Sequence, residues 1–258
     1  MNRQIAVKKA PSKELHQGWL RYFEYQRQER NPIFRRRFKI IDFAGLKVLE
    51  IGCGLGSLCI DVAASGARQV IGLDINAHKI DFANKILRLH YPQFVQTIRF
   101  STTPLEQLQE ADFDIILSKA AFEHCLDLEG LLLQMKKRLK PGGRVYSGFG
   151  PLYHSPYGDH GYCKALIPWG HLILSEDTIV TRLNRKRKVP IRSISDLGLN
   201  RLSFNQYMSV FAQCGLRIVD LRTNVHENLL YSMLSNMLHR IPFLGKYFTF
   251  NIYCILEK

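Results

Sequence analysis

Three glycines at alternate positions, Gly52, Gly54 and Gly56, follow a short apolar run and precede a helical pattern. Glycines at such a turn let the backbone approach a ligand and point amide N–H groups and a helix N-terminus at it. Asp74 stands 22 residues after Gly52, where a carboxylate can accept hydrogen bonds from ribose hydroxyls. The pattern predicts a nucleotide-type site. With Ser57 as the third small residue, a dinucleotide turn also fits the spacing.

The elements that must position these residues alternate between strand and helix patterns, which predicts an α/β sheet with parallel pairing. The predicted strands are 47–51, 69–74, 97–101, 113–118 and 144–149, and the predicted helices are 57–64, 77–90 with Asn76 as N-cap, and 128–139 closed by 140–143. Residues 13–43 are predicted to be helical, with a break at Asn31-Pro32 and a second basic helix over 33–43. Residues 150–202 interrupt the alternation. A helix over 203–214, a strand over 216–221, an apolar helix over 226–246 and a strand over 250–256 follow.

Three further segments narrow the choice of cofactor. Glu50 precedes the glycine turn by two residues, and a dinucleotide turn rarely carries an acid there. The other two segments are Phe113-Asp114-Ile115-Ile116-Leu117-Ser118, followed by Phe122-Glu123-His124, and Leu139-Lys140-Pro141-Gly142-Gly143-Arg144. In this order and spacing over residues 47–149, the sequence resembles class I S-adenosylmethionine (SAM)-dependent methyltransferases. Within them it is most similar to the ubiquinone-biosynthesis-like branch of small-molecule methyltransferases.

The resemblance implies a Rossmann-like fold: a seven-stranded, mostly parallel sheet with helices on both faces. It also implies an N-terminal helical cap (1–44) and a SAM-binding domain (45–258) with substrate or lid insertions at about 150–202 and 226–246. The implied cofactor residues are Glu50 near the ammonium, Gly52, Cys53, Gly54 and Gly56 beside the methionine part, Asp74 on the ribose, Ile75 against the adenine and Ser118 on the sulfonium side. For Asp74, a helix-capping carboxylate is the alternative.

The segment Ser101-Thr102-Thr103 departs from the family pattern. At this place the family usually carries an acid that meets the adenine amine. We expect the Thr103 hydroxyl, or a backbone carbonyl, to accept that hydrogen bond instead.

The loop after the fifth strand carries Tyr153, His154, Tyr157, Asp159 and His160. Methyl transfer needs an aligned and deprotonated nucleophile, and histidine is the commonest general base. Because ligands bind at the carboxyl ends of parallel strands, we predict His160 as the base and His154 as the second candidate. The alternative is that both histidines only bond to loop backbone. Asp159 can orient a ring only if the loop folds to allow it.

The net charge of +14 is concentrated in the flanks, with +8 in residues 1–47, none in 48–150 and +6 in 151–258. This favours an acidic partner, such as an anionic substrate, a lipid surface or nucleic acid, or serves solubility alone. Arg182, Arg185, Lys186, Arg187, Lys188 and Arg192 form a run without an acid, which is either an anion clamp or a solvated loop. The segment 226–246 either caps a greasy acceptor, lies on a membrane surface or belongs to the core.

The expected function is SAM-dependent methylation of a small-molecule or lipid-like acceptor at oxygen. The alternatives are an RNA methyltransferase that uses the basic flanks, an NAD(P)-dependent oxidoreductase and a non-catalytic SAM-fold protein. The six cysteines are scattered, so we expect no metal site and a cytoplasmic protein with free thiols. Neither a secretory signal nor a membrane span is predicted.

Overall fold

A computed structural model describes residues 13–39, 41–163 and 167–258, without the side chains of 13–16. The helices are α1 (Lys13–Tyr25), α2 (Asn31–Arg37), α3 (Ser57–Ala64), α4 (Ala77–His90), α5 (Leu128–Arg138), α6 (Gly170–Ile173), α7 (Glu176–Asn184), α8 (Phe204–Gln213) and α9 (Leu229–His239). The strands are β1 (Lys47–Ile51), β2 (Gln69–Leu73), β3 (Ile98–Ser101), β4 (Phe113–Lys119), β5 (Leu139–Phe149), β6 (Arg217–Thr223) and β7 (Ile252–Glu257).

The strands form a seven-stranded sheet in the order β3-β2-β1-β4-β5-β7-β6. β2 pairs with β3, β1 with β4 and β4 with β5 in parallel, whereas β7 pairs antiparallel with both β5 and β6. The predicted α/β class and mostly parallel sheet are confirmed. The apolar runs in β1 and β4 are buried, as expected for strands covered on both faces.

The chain divides into two compact units. The first contains the residues up to Leu46 together with Cys53–Pro104, and the second contains Lys47–Gly52 together with Leu105–Lys258. In the first unit the N-terminal helices pack against α3 and α4. Trp19 meets Phe82 edge-on at 5.7 Å between ring centroids, and the Asn31 Nδ2 atom donates to Asp61 at 2.7 Å. The first unit therefore contains Cys53–Pro104 in addition to the N-terminal residues that were predicted to form a cap over 1–44.

The predicted break at Asn31-Pro32 is wrong. A π-helical turn over Gln26–Arg30 joins α1 directly to α2, and Pro32 lies in the first turn of α2. Proline is tolerated there because the first N–H groups of a helix have no intrahelical partner. The second helix also ends at Arg37, before Phe43.

In the second unit, β5 begins at Leu139 and not at Arg144 as predicted. Leu139 pairs with Phe113, and pairing resumes between Arg144 and Ile115 after a register shift. Gly142 adopts a left-handed φ of 72° within this irregularity. The Pro-Gly-Gly turn therefore interrupts a strand, whereas the sequence predicted that it separates helix from strand.

The insertion after β5 has a buried cluster of its own. Tyr153, Cys163, Ile179, Leu183, Ile191, Ile194 and Leu199 pack together around α7. Asn200 closes the insertion, because its side-chain amide donates to the carbonyls of Phe122 (2.6 Å) and Cys125 (3.1 Å). Its Oδ1 atom accepts from the Tyr207 hydroxyl at 3.0 Å.

The predicted helix over 226–246 is shorter in the structure, where α9 is followed by a 3₁₀ turn over Gly245–Tyr247. The interpretation of this segment as core is wrong, because most of its large apolar side chains are exposed.

Among the described residues, no helix combines the length and apolar character needed to cross a bilayer.

Candidate active site

The glycine turn that follows β1 has the backbone conformation that its sequence demands. Gly52, Gly54 and Gly56 have φ angles of 75°, 55° and 82°. These angles lie in the left-handed region, which L-residues with a Cβ avoid. In the second unit, a Cβ on Gly52 would lie 2.9 Å from the Ala121 side chain.

The tightest glycine contact predicts a measurable loss of stability. A Cβ at Gly56 would lie 2.5 Å from the Phe100 ring and 3.1 Å from Ala83. We expect Gly56→Ala to lower the free energy of unfolding by about 2–5 kcal/mol, because overpacking adds to the left-handed strain. A lowered thermal midpoint relative to wild type would show this. Gly54→Ala is the matched control, since it has a left-handed φ but no neighbour within 4 Å. Equal losses in the two variants would contradict the packing argument.

Asp74 braces the glycine turn within the first unit. Its Oδ2 atom accepts from the Gly54 N–H at 2.9 Å, and its Oδ1 atom accepts from the Asn76 N–H at 2.9 Å. Asn76 is the N-cap of α4, as predicted, and accepts from the N–H groups of His78 and Lys79. The helix cap that was the alternative role for Asp74 is therefore provided by Asn76. A carboxylate offers about four acceptor positions, so Asp74 retains capacity for ribose hydroxyls.

The residues expected near the adenine differ in their surroundings. Ile75 is 100% exposed, which leaves its side chain open to a flat ring. The Thr103 hydroxyl lies 2.6 Å from the Ser101 hydroxyl, and the Thr103 N–H donates to Ser101 Oγ at 3.0 Å. The Thr103 hydroxyl is therefore already engaged within its own loop.

Glu50 and Ser118 lie on neighbouring strands of the second unit. Glu50 on β1 is 3% exposed, and Ser118 on β4 is fully buried. Leu117 is the register partner of Glu50, and Ile51 is that of Ser118. The Ser118 Oγ atom has no hydrogen-bond partner among the described residues. Its predicted place on the sulfonium side stays a prediction. Cys53, in the first unit, is buried and donates its N–H to the Leu73 carbonyl at 3.0 Å.

Glu123, His124 and His160 form a cluster at the carboxyl ends of β4 and β5. The Glu123 Oε1 atom accepts from the Gly150 N–H at 3.1 Å, which ties the segment after β4 to the segment after β5. The rings of His124 and His160 lie 4.9 Å apart between centroids. The sequence predicted His160 here but missed Glu123 as its neighbour, although the Glu-His pair after β4 was the available signal.

Hydrogen bonds to backbone carbonyls assign the ring tautomers. His160 Nε2 lies 2.9 Å from the Pro151 carbonyl, and His124 Nδ1 lies 2.9 Å from the Gly198 carbonyl. Carbonyl oxygens only accept, so each of these nitrogens donates. In a neutral His160 the Nδ1 lone pair is therefore available as a base.

Burial shifts the pKa values in this cluster. It raises the pKa of Glu123 to about 7, because desolvation disfavours the carboxylate more than the backbone hydrogen bonds favour it. The Glu123 Oε2 atom has no partner among the described residues. Burial, and next the neighbouring His124, lower the pKa of His160. His160 is therefore neutral at lower pH than an exposed histidine, while Glu123 exchanges a proton near neutrality.

His154 occupies a different environment from His160. It is half-buried, with its ring 5.5 Å from that of Tyr153, and burial followed by the nearby Lys246 lowers its pKa. Asp159 orients neither predicted base, because its carboxylate oxygens lie near Cys163 and His171. Its Oδ2 atom accepts from the Cys163 N–H, and its Oδ1 atom lies 3.9 Å from His171 Nδ1. His171, which is buried, was not among the residues predicted from the sequence.

Glu123, His124 and His160 could also hold a metal ion, because each offers one ligand atom and these atoms lie within 4.8 Å of one another. Imidazole and carboxylate are common ligands of divalent metals. The sequence-based expectation that no metal is bound stays a prediction.

Part of the chain is similar in sequence to known methyltransferases. Residues 49–145 match the methyltransferase domain family. A ubiquinone biosynthesis O-methyltransferase from Bartonella bacilliformis is 34% identical over 152 residues, which are 52% of this chain and 59% of that relative. The chain thus spans little more than half the length of this curated relative.

Two solved structures share the fold. A SAM-dependent methyltransferase from Mesorhizobium loti has a TM-score of 0.57 at 17% identity, over 88% of this chain and 96% of that one. Magnesium protoporphyrin IX methyltransferase from Synechocystis PCC 6803, with bound S-adenosylhomocysteine, has a TM-score of 0.54 at 15% identity, over 99% and 91%. The chain therefore shares the fold of these two methyltransferases, and the matched methyltransferase domain of residues 49–145 contains the acid-flanked glycine turn.

Proposed function

We propose that the chain binds SAM and transfers its methyl group to a hydroxyl oxygen of a small molecule. The single observation that carries the proposal is the hydrogen bond from Gly54 N–H to Asp74, which holds the strand-end carboxylate against the glycine turn. A SAM nucleoside needs both parts, because its ribose hydroxyls donate to a carboxylate while the glycines let the backbone approach its amino-acid part.

Support for oxygen as the acceptor atom comes from the relative's activity and from the bases in the second unit. The relative is named as an O-methyltransferase of ubiquinone biosynthesis. The hydrogen bond from His160 Nε2 to the Pro151 carbonyl leaves Nδ1 of the neutral ring as the proton acceptor. An imidazole is better matched to an acidic hydroxyl, such as a phenol with a pKa of about 10, than to an aliphatic alcohol. We therefore propose a phenolic or catecholic acceptor.

In this proposal His160 removes the hydroxyl proton through Nδ1, since its Nε2 is held by the Pro151 carbonyl. Bound SAM would supply an electrophilic methyl group to this oxygen, with the methyl carbon–sulfur bond breaking as the O–CH₃ bond forms and with S-adenosylhomocysteine as the leaving group. Glu123 orients this end of the loop through the Gly150 amide. The chain supplies alignment and the proton acceptor.

A thermal-shift comparison tests the cofactor. The chain is heated with SAM, S-adenosylhomocysteine, NAD⁺ or NADP⁺, each at the same concentration. A ligand that binds only the native state at about 100 times its dissociation constant adds about 2.7 kcal/mol to the stability. We expect SAM and S-adenosylhomocysteine to raise the midpoint by about 5–10 °C and the nicotinamide cofactors to leave it unchanged. Stabilisation by NAD⁺ alone would show that the glycine turn serves an oxidoreductase.

A further inference from the structure

Helix α9 is amphipathic, but its polar side faces the protein. Ser232 Oγ donates to the Asn224 carbonyl at 2.6 Å, the Thr223 hydroxyl donates to Asn236 Oδ1 at 2.9 Å, and His239 Nδ1 lies 2.7 Å from the Thr249 hydroxyl. These inward residues, with the buried Ser235, follow the three- and four-residue spacing of one helix face. Polar groups therefore attach α9 to the rest of the unit.

The apolar side of α9 faces outward. Leu230 is 75% exposed, and Met233 and Met237 are each 64% exposed. The outward residues share a second face with helical spacing, which continues past the helix end. We call this surface the α9 face, and it consists of Leu230, Met233, Leu234, Met237, Ile241 and Phe243. A contiguous apolar patch of this kind marks an interaction site.

The segment that precedes α7 adds to the apolar surface near the α9 face. Trp169 packs against Phe248 with ring centroids 5.4 Å apart, and its Nε1 atom donates to the Tyr247 carbonyl at 3.3 Å. On either side of this anchor, Ile167 and Ile173 are more than half exposed. Exposed apolar residues are thus present on two segments that meet at 247–248.

Charge indicates which partner covers the α9 face. No acid occurs between Glu227 and Glu257, whereas Arg240 and Lys246 flank the apolar residues, and the acid-free basic run 182–192 belongs to the same unit. A second copy of the chain is a poor partner, because a two-fold contact would bring the same cations together in two chains of net charge +14. An anionic lipid surface offers both an apolar layer and negative charge.

We propose that the α9 face lies on an anionic lipid bilayer surface, with its apolar side chains at the headgroup–acyl boundary and with Arg240 and Lys246 among the headgroups. The proposal is independent of the methyl-transfer reaction, because it uses none of the residues assigned to the cofactor or to the base.

Vesicle co-sedimentation tests the proposal with the full chain. The probes are vesicles of phosphatidylcholine alone and vesicles in which about a quarter of the lipid is phosphatidylglycerol. We expect binding to the anionic vesicles, weakened by added salt. The double variant Leu230→Gln/Met237→Gln is expected to bind at least about tenfold more weakly, since it removes two apolar side chains without changing the charge. Both positions are exposed, so the variant keeps its fold, which circular dichroism checks.

Leu89→Gln is the matched control, because Leu89 is 63% exposed on α4 in the other unit. It is expected to bind vesicles like the wild type. Equal binding by the double variant and the wild type would overturn the proposal, as would binding that does not depend on phosphatidylglycerol. A lipid-free dimer that the double variant abolishes would assign the α9 face to a second copy and also overturn it.

Discussion

Replacement of Asp74 by alanine is expected to weaken SAM binding by about 10- to 100-fold. A hydrogen bond to a charged group contributes about 1.5–3 kcal/mol. The carboxylate also accepts from the Gly54 and Asn76 amides, so its loss leaves two N–H groups without their acceptor and loosens the glycine turn. Isothermal titration with SAM measures the affinity, and the thermal midpoint of the unliganded variant reports the loosening separately.

Asp81→Ala is the control for the Asp74 variant, since it removes the same charge from an exposed position on α4. It should bind SAM like the wild type. Asp74→Asn should fall between the wild type and Asp74→Ala, because an amide oxygen still accepts from one of the two N–H groups. If Asp74→Ala retained full affinity, the ribose contact would lie elsewhere and the proposed cofactor site would be wrong.

Replacement of His160 by alanine is expected to lower kcat by about 10²- to 10⁴-fold, the usual contribution of a positioned general base. SAM affinity should not change, because no cofactor contact is assigned to this ring. Transfer of a labelled methyl group from SAM to small phenols and catechols measures the rate. His154→Ala is the parallel variant and should have a much smaller effect. The reverse order of the two effects would make His154 the base.

The pH profile provides a second test of His160. A base acts in its neutral form, so the rate should fall as pH drops through its pKa. Burial and the neighbouring His124 lower that pKa below 6.5, so the wild-type rate should persist further into the acid range than for an exposed histidine. Protonation of Glu123 near pH 7 is expected to change the rate as well. The variant Glu123→Gln should remove this part of the pH dependence. If EDTA abolished turnover and a divalent ion restored it, a metal-bound mechanism would replace the free base.

The parts of the fold that the sequence predicted correctly are those with local causes. The buried strand runs and the Asn76 cap each depend on residues within one or two turns, and the structure confirms them. The Asn31-Pro32 break was predicted wrongly because a proline has no N–H to satisfy in the first turn of a helix. A π-helical turn directly before it allowed the helical path to continue.

The sequence predicted which residue types lie in the candidate site better than it predicted which side chains contact one another. The spacing of the glycine turn and Asp74 predicted that they serve one ligand, and in the structure the Gly54 N–H donates to Asp74. Glu123 meets the 150–160 loop only through the parallel pairing of β4 and β5, which a sequence does not display. Asp159 and His160 are adjacent in the chain, yet Asp159 approaches His171 at 3.9 Å. The sequence also did not predict that the apolar side of α9 is exposed. Periodicity shows that a helix has two faces, but it does not show which face is covered.

The buried cluster of the insertion between Gly150 and Asn200 has a consequence for local unfolding. Its buried cluster is made of its own residues, and Asn200 fastens its far end to the carbonyls after β4. A segment with its own buried cluster can open locally while the neighbouring sheet stays folded. The amides of the insertion are therefore expected to exchange with solvent before those of β4 and β5.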